Sequence, residues 1–413
     1  MNLGVIGLGK LGLPLLALLA DSGHKVTGYD SSDILIKFLK KSVFEYTEPE
    51  LNDLLNRNIS SFEFTDSLEK TVGNSEVIFI IVPTPSNSEG VFDNSAIIEI
   101  CSSIRKIIDS KPKSLTINIV STVMPGSCEG EIAEALKLNF EKNGDFDLGI
   151  CYSPEFIALG SVIQNMKYPD MQLLGSNTNF HAEKVEKVLK SITRNSSQVR
   201  RMSLKEAELV KISVNNFVTM KIAFANTLGM LSEKIGGINI DVVTEAIGLD
   251  SRIGGKYLAY GAPYGGPCFP RDTRALSALL SKNEIEDSLP KVVDHSNDFF
   301  VKFIEDKIAS ISLKKKVGVL GLSYKSDTPV IEDSPSIKII KSLSEHGVNV
   351  IAWDPQVHNM NLNGLDIAND FDSFTDAVDL CVIMRPMPEL SETQLSTLKS
   401  RTEIVDLWRK IKN

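Results

Sequence analysis

An α/β architecture of two Rossmann-like, doubly wound domains, joined by a long central helix and a helical dimerisation region, is what this sequence predicts, and three observations predict it. A buried-strand pattern, Leu3-Gly4-Val5-Ile6, runs straight into Gly7-Leu8-Gly9-Lys10-Leu11-Gly12 and an apolar helix. The same grammar restarts later, where Lys316-Val317-Gly318-Val319-Leu320-Gly321-Leu322 echoes Leu3 to Leu8. Between the two, a proline-free stretch from Leu204 to Ile235 keeps helical apolar spacing. The expected domain limits are 1–203, 204–312 and 313–413.

Length and composition bound the rest. A chain of 413 residues is long enough for two or three domains, each with its own core. Its formal net charge of −9 points away from a nucleic-acid or anionic-membrane surface. No charged n-region, apolar h-region and cleavage site precede Leu3, so no secretory signal is expected. The longest apolar run, Leu11 to Ala20, contains Pro14 and is too short for a bilayer. A soluble, cytoplasmic protein with no membrane partner is the expectation. The five cysteines, at positions 101, 128, 151, 268 and 381, form no CxxC pair, so neither a disulfide framework nor a metal site is expected.

The first element carries a dinucleotide signature. Gly7 permits the turn after the strand, Gly9 lets backbone approach a pyrophosphate, and Gly12 allows the helix to pack closely on the strand. The next strand, Lys25 to Tyr29, ends at Asp30, which can bind the ribose hydroxyls of NAD and would repel the extra phosphate of NADP. NAD is the predicted cofactor. Strands at Glu76 to Val82, Leu115 to Val120 and Leu148 to Tyr152, with a helix at Ala96 to Ile108, continue the alternation. Each strand ends in polar turn chemistry at the edge where open α/β sheets bind ligands: Val82-Pro83-Thr84-Pro85, Ser121 to Gly126 with Thr122, and Ser153-Pro154-Glu155-Phe156.

On the central helix, Lys211 and Asn215 are four residues apart and project from one face. Ile212, Val214, Phe217, Val218, Ile222 and Phe224 make most of its circumference apolar, which suits a connector that is also a dimer core. Next comes the loop from Gly261 to Leu276. Tyr264-Gly265-Gly266-Pro267 cannot continue a helix or strand, so Cys268 is expected on a tight turn with Arg271 and Asp272 directly after it. A cation and a carboxylate so close to a thiol can set its thiolate fraction and handle protons. A helix from about Lys291 to Leu313 leads into the second repeat. There His346 to Asp354 echoes Gly23 to Asp30, and Asp379 to Met384 echoes Glu76 to Val82. Ser323 stands where Gly9 stands and no third glycine follows, so a nucleotide other than a dinucleotide is expected on that sheet.

Taken together, GLGKLGLP, Tyr29-Asp30, VPTP, STVMPG, SPEF, KISVN, Arg252-Ile253-Gly254, YGGPCFPRDTRAL, GLSYKSDT and WDP resemble the UDP-glucose/GDP-mannose dehydrogenase family, in its order and over essentially the whole chain. The resemblance implies a homodimer that oxidises the C6 alcohol of a nucleotide sugar to a carboxylate with two NAD and no metal. UDP-glucose is the leading substrate; GDP-mannose or a UDP-2-acetamido sugar is the enzymatic alternative, and a catalytically impaired sugar-nucleotide-binding paralogue is the non-enzymatic one.

By the same resemblance, Cys268 forms a thiohemiacetal and then a thioester, while Lys211 and Asn215 steady the oxygens on which charge develops. Thr122 and Asp272 position water and pass protons, and Glu155 is the general base of hydrolysis. Gly7, Gly9, Gly12, Asp30, Thr84, Thr122 and Arg271 are implied to bind NAD. Glu155, Phe156, Ile157, Lys211, Asn215, Tyr257, Gly265, Lys325 and Arg252, the last reaching across the dimer, are implied to bind the sugar nucleotide. Three positions depart from the family pattern: Leu159 replaces a second carboxylate, Glu332 replaces an arginine near the cofactor phosphates, and Arg271 replaces a lysine.

Overall fold

The computed structural model describes residues 1–87, 89–138, 148–157, 159–312, 315–357, 362 and 364–411. Ala158, in the motif that ends at Gly160, and Leu313, at the expected start of the third domain, lie outside them. The chain divides into two compact units, Met1–Ser213 and Val214–Asn413, and the division falls inside one continuous helix, Leu204–Ile235.

The first unit holds strands β1 (Asn2–Ile6), β2 (Lys25–Tyr29), β3 (Phe62–Thr65), β4 (Val77–Ile80), β5 (Leu115–Ile119), β6 (Leu148–Tyr152), β7 (Gln172–Ser176) and β8 (Val199–Met202). They form one sheet in the order β3-β2-β1-β4-β5-β6-β7-β8, parallel at every pairing except β6 with β7. Strand order reverses beside β1, which opens a crevice at the carboxyl ends of β1 and β4. The apolar runs are strands because successive side chains point to opposite faces and both faces are covered. Along β4, Val77 and Phe79 join the cluster around the helix Gly12–Asp21, while Ile78 and Ile80 join the one around the helix Ser95–Ser110. Every residue of the first helix from Gly12 to Ala20 is buried.

In the second unit, β9 (Val317–Leu320), β10 (Val350–Trp353), β11 (Asp366–Ile367), β12 (Leu380–Ile383) and β13 (Glu403–Asp406) form a parallel sheet in the order β11-β10-β9-β12-β13. This repeats the order of β3-β2-β1-β4-β5, so the internal echo in the sequence is an echo of topology. One difference bears on ligands. After β1 the helix opens at Gly12, whereas after β9 a long loop intervenes and the helix opens only at Pro335. Helices Ile240–Leu249, Phe269–Lys282, Leu289–Ile311, Phe371–Ala377 and Glu392–Arg401 also belong to the unit. Among the described residues no helix is long and apolar enough to cross a membrane.

Candidate active site

At the carboxyl end of β1 the three glycines do different work. Gly7 adopts φ +91°, and a Cβ there would lie 2.1 Å from the Ile81 carbonyl oxygen. A Cβ on Gly12 would lie 1.7 Å from the Gly7 oxygen, so only glycine lets the helix start this close to the strand. A Cβ on Gly9, by contrast, meets nothing within 4 Å. Packing therefore does not require glycine at this position. Asp30 closes the other side: its Oδ2 accepts from the Leu8 N–H at 2.8 Å and its Oδ1 from the Ser32 N–H at 2.9 Å. A carboxylate has about four acceptor sites, so this one is fixed in place and still able to receive ribose hydroxyls. These residues fit NAD.

The strand-end turns of the same unit are tied to one another. Ser121 Oγ accepts from the Val82 N–H at 2.9 Å and donates to the Val82 oxygen at 2.7 Å, which locks the end of β5 to the turn after β4. Thr84, buried, donates its hydroxyl to the Thr122 oxygen at 2.7 Å. Asn118 Nδ2 donates to Ser153 Oγ at 2.7 Å, steadying the turn that presents Glu155. Burial pushes the Glu155 carboxyl up to about 7, with the Lys211 ammonium pulling the other way. Lys211 Nζ donates to the Glu155 backbone oxygen at 2.6 Å and stands 4.7 Å from the centre of the Phe156 ring. Ile157 and Leu159, half-buried, pack against the apolar cluster around the helix Gly12–Asp21.

In the second unit, Cys268 caps the helix Phe269–Lys282 and is exposed, whereas the other four cysteines are buried. Burial pushes Cys101 and Cys151 up to about 12, which leaves them inert as nucleophiles. One turn on, Asp272 is fully buried. Its Oδ2 accepts from Asn215 Nδ2 at 2.6 Å, and its Oδ1 from Arg271 Nε at 3.0 Å and Nη2 at 2.9 Å. Asn216 Nδ2 donates to the Asp272 backbone oxygen at 3.0 Å. The cysteine loop is shaped by the long loop after β9. The Gly266 N–H donates to the Glu332 oxygen at 3.1 Å, and Cβ atoms on Gly265 and Gly266 would meet the Asp333 oxygen and the Tyr324 ring, each at 2.5 Å. Burial, with Cys268 and Tyr257 nearby, pushes the Tyr324 hydroxyl up to about 12. Lys325 is half-buried on that loop, and the Glu332 side chain is exposed. Tyr257, at φ +61°, sets its ring edge-on to Phe269 at 6.2 Å. Arg252 is exposed and paired with Asp250. Among the described residues no group of three or more His, Cys, Asp or Glu is placed to hold a metal ion.

The second sheet's counterpart of Asp30 is spent internally. Asp354, fully buried, accepts from the N–H groups of Leu322, Ser323 and Gln356, from Ser323 Oγ, and from the buried Arg385 at 3.2 Å. Arg385 in turn pairs with Glu389 at 3.0 Å. A carboxylate so saturated has no place for a ribose. The bonds of Ser121 to Val82, the close approach of Tyr324 to Gly266 and the pairing of Arg385 with Asp354 join residues far apart in sequence, and no spacing signals them. Lys211 with Glu155 and Asn215 with Asp272 are likewise pairings that only the folded chain reveals.

The glycine turn with Asp30 on a doubly wound sheet is the arrangement of a dinucleotide-binding α/β protein. Models of the UDP-glucose/GDP-mannose dehydrogenase family match along the chain, the NAD binding domain over residues 1–193, the central domain over 205–299 and the UDP binding domain over 318–413. The UDP-glucose 6-dehydrogenase of Rickettsia bellii (strain RML369-C) is 33% identical over 421 residues, covering 98% of this chain and 95% of that protein. That of Rhizobium meliloti (strain 1021) is 31% identical over the same shares of each chain. The solved UDP-glucose dehydrogenase from the archaeon Pyrobaculum islandicum matches with a TM-score of 0.89 at 29% identity, over 100% of this chain and 95% of that one. The UDP-D-ManNAc dehydrogenase from Pyrococcus horikoshii shares the fold, with a TM-score of 0.84 at 24% identity, over 100% and 96%. This chain therefore belongs to the UDP-glucose/GDP-mannose dehydrogenase family, the NAD-dependent dehydrogenases of nucleotide sugars.

Proposed function

We propose that the chain oxidises UDP-glucose to UDP-glucuronate in two hydride removals at C6, with Cys268 as the covalent carrier between them. The observation that carries this reading is the placement of Cys268: exposed, at the N-terminus of a helix, and one turn from a buried carboxylate held by Asn215 and Arg271. NAD, when bound, takes up the hydride lost at each oxidation. The first removal, with loss of the hydroxyl proton, gives a C6 aldehyde. The Cys268 thiolate adds to C6, forming a C–S bond and a hemithioacetal oxyanion that Lys211 and Asn215 steady as donors. Loss of the second hydride restores the carbonyl as a thioester. Glu155 then takes a proton from water, with Thr122 and Asp272 ordering that water; the C–S bond breaks, the new carboxylic acid gives its remaining proton to solvent, and carboxylate and thiolate are left. A Glu155 carboxyl near 7 suits that duty, since a base tuned close to the working pH transfers protons best.

Binding is divided in the same reading. Gly7, Gly9, Gly12, Asp30, Thr84, Thr122 and Arg271 hold NAD, and Phe156, Ile157, Arg252, Tyr257, Gly265 and Lys325 hold the sugar nucleotide with Glu155, Lys211 and Asn215. The acting unit is a homodimer. Its support is an apolar stripe on the long helix, Phe217, Phe224 and Leu231, all exposed and seven residues apart, which continues to Ile235 and suits a second copy of the same helix. The test is NADH absorbance with UDP-glucose, GDP-mannose and UDP-2-acetamido sugars in turn. Two NADH per UDP-glucose are expected, with Cys268→Ser unable to complete the second oxidation yet still binding the sugar nucleotide. Turnover of GDP-mannose alone, or full four-electron turnover by Cys268→Ser, would refute the reading.

A further inference from the structure

The helix Leu204–Ile235 carries a carboxylate that the mechanism does not use. Glu208 is fully buried, three residues before Lys211 and so on the same helical face. Its Oε2 accepts from the Gly126 N–H at 2.5 Å and its Oε1 from the Cys128 N–H at 2.8 Å. Both donors belong to the loop that begins at Thr122. One turn earlier on the helix, Lys205 Nζ pairs with Glu129 Oε2 of the same loop at 2.8 Å. At its other end the loop is tied to the turn after β4 through Ser121 and Thr84. The loop is thus gripped at one end by the cofactor sheet and at the other by the helix that bears Lys211.

A buried carboxylate is a costly way to fill space, because ionised groups pay desolvation that apolar residues of similar volume do not. Burial does push the Glu208 carboxyl up, and the two backbone amides oppose that push. What the carboxylate alone supplies is two acceptors on one rigid group, and they satisfy two N–H groups at a turn where Gly126 takes φ +98°.

We propose that Glu208 is a positioning residue: it fastens the Thr122 loop to the helix of Lys211, so that the two side chains keep one register during oxidation and hydrolysis. The proposal rests on the roles given above to Thr122 and Lys211. Glu208→Gln keeps the shape but turns one acceptor into an NH2 group that faces a backbone N–H. Its kcat is expected to fall about tenfold or more, with the KM for UDP-glucose within about twofold of the unmodified enzyme, because an interaction felt in the transition state is lost. In a Thr122→Ala background the same change should cost no more than about threefold, since groups acting as one unit are not additive. A purely structural role would cost the same factor in both backgrounds and would overturn the proposal.

Hydrogen exchange gives a readout that needs no turnover. The Gly126 and Cys128 amides should be protected in the unmodified protein and should exchange at least about tenfold faster in Glu208→Gln, with β1 and β5 unchanged. Rapid exchange of those two amides in the unmodified protein would overturn the anchor without any variant, which keeps the test open should Glu208→Gln not fold. If the unmodified enzyme oxidises no nucleotide sugar, the functional reading falls by itself and the exchange data decide the anchor.

Discussion

Replacing Glu155 by glutamine should raise stability and remove an acid limb of activity at the same time. The carboxyl rises from its usual 4.5 to about 7 because burial penalises its charged form. The folded chain therefore holds this proton more tightly than the unfolded chain, and stability is lost as pH rises through the window from 4.5 to about 7. The gap corresponds to about 3 kcal/mol, counted as an upper figure since the carboxylate can recruit water. Above pH 7 the unmodified protein bears that cost in full; below about pH 4.5 it bears none. Glu155→Gln never ionises, so at pH 8 it should melt several degrees higher than the unmodified protein, at about 2–4 °C per kcal/mol, and at pH 5 the difference should nearly vanish. In turnover the dependence runs the other way. A general base must be ionised, so kcat of the unmodified enzyme should fall about tenfold per pH unit below 7, and the variant should be slow at every pH with that limb gone. Differential scanning at pH 5 and 8, with stopped-flow NADH production from pH 5.5 to 9, measures both. A melting difference independent of pH, or an acid limb near 7 that survives in Glu155→Gln, would refute the reasoning.

Three further outcomes follow from the geometry. Gly9→Ala should melt like the unmodified protein while losing NAD affinity by calorimetry, because its Cβ meets no protein atom within 4 Å; Gly12→Ala, whose Cβ would lie 1.7 Å from the Gly7 oxygen, should be destabilised outright. NADP should be used at least about a hundredfold less efficiently than NAD, since a phosphate about 5 Å from the Asp30 carboxylate at an effective dielectric of about 20 is repelled by about 3 kcal/mol; comparable kcat/KM with the two cofactors would contradict this. Leu159→Glu, which places a carboxylate against the apolar cluster around the first helix, should lower stability by about 2–4 kcal/mol in urea unfolding, and a neutral effect would show that this side chain can swing into water.

Much of the architecture is legible in the residues because it is local. Leu3 to Ile6, the glycines at 7, 9 and 12, and Asp30 define a strand, a turn, a helix start and an acceptor within thirty consecutive positions, and each follows from what its own backbone can do. The long helix was readable to its ends at Leu204 and Ile235 because apolar spacing and the lack of proline are properties of one segment. The edge strand β8 was not. Its Val199-Arg200-Arg201-Met202 is a strand through pairing with β7, and the two central arginines are exposed, so no periodic pattern marks it.

The site divides along the same line. Cys268 stands out through the glycines and prolines around it, while spacing puts Lys211 and Asn215 on one helical face and only the family resemblance gives them a role. Sequence by itself determined which groups this protein can bring to chemistry, since reactive side chains, glycine turns and helix faces are set by near neighbours. Tertiary structure alone decided their state. Asp272 is clasped by Asn215 and Arg271, the Glu155 carboxyl is pushed up by burial, and Asp354, matched to Asp30 by the repeat, is consumed by Arg385 and four other donors. Burial and long-range pairing depend on which distant segments the folded chain packs together, and no local pattern of residues carries that information.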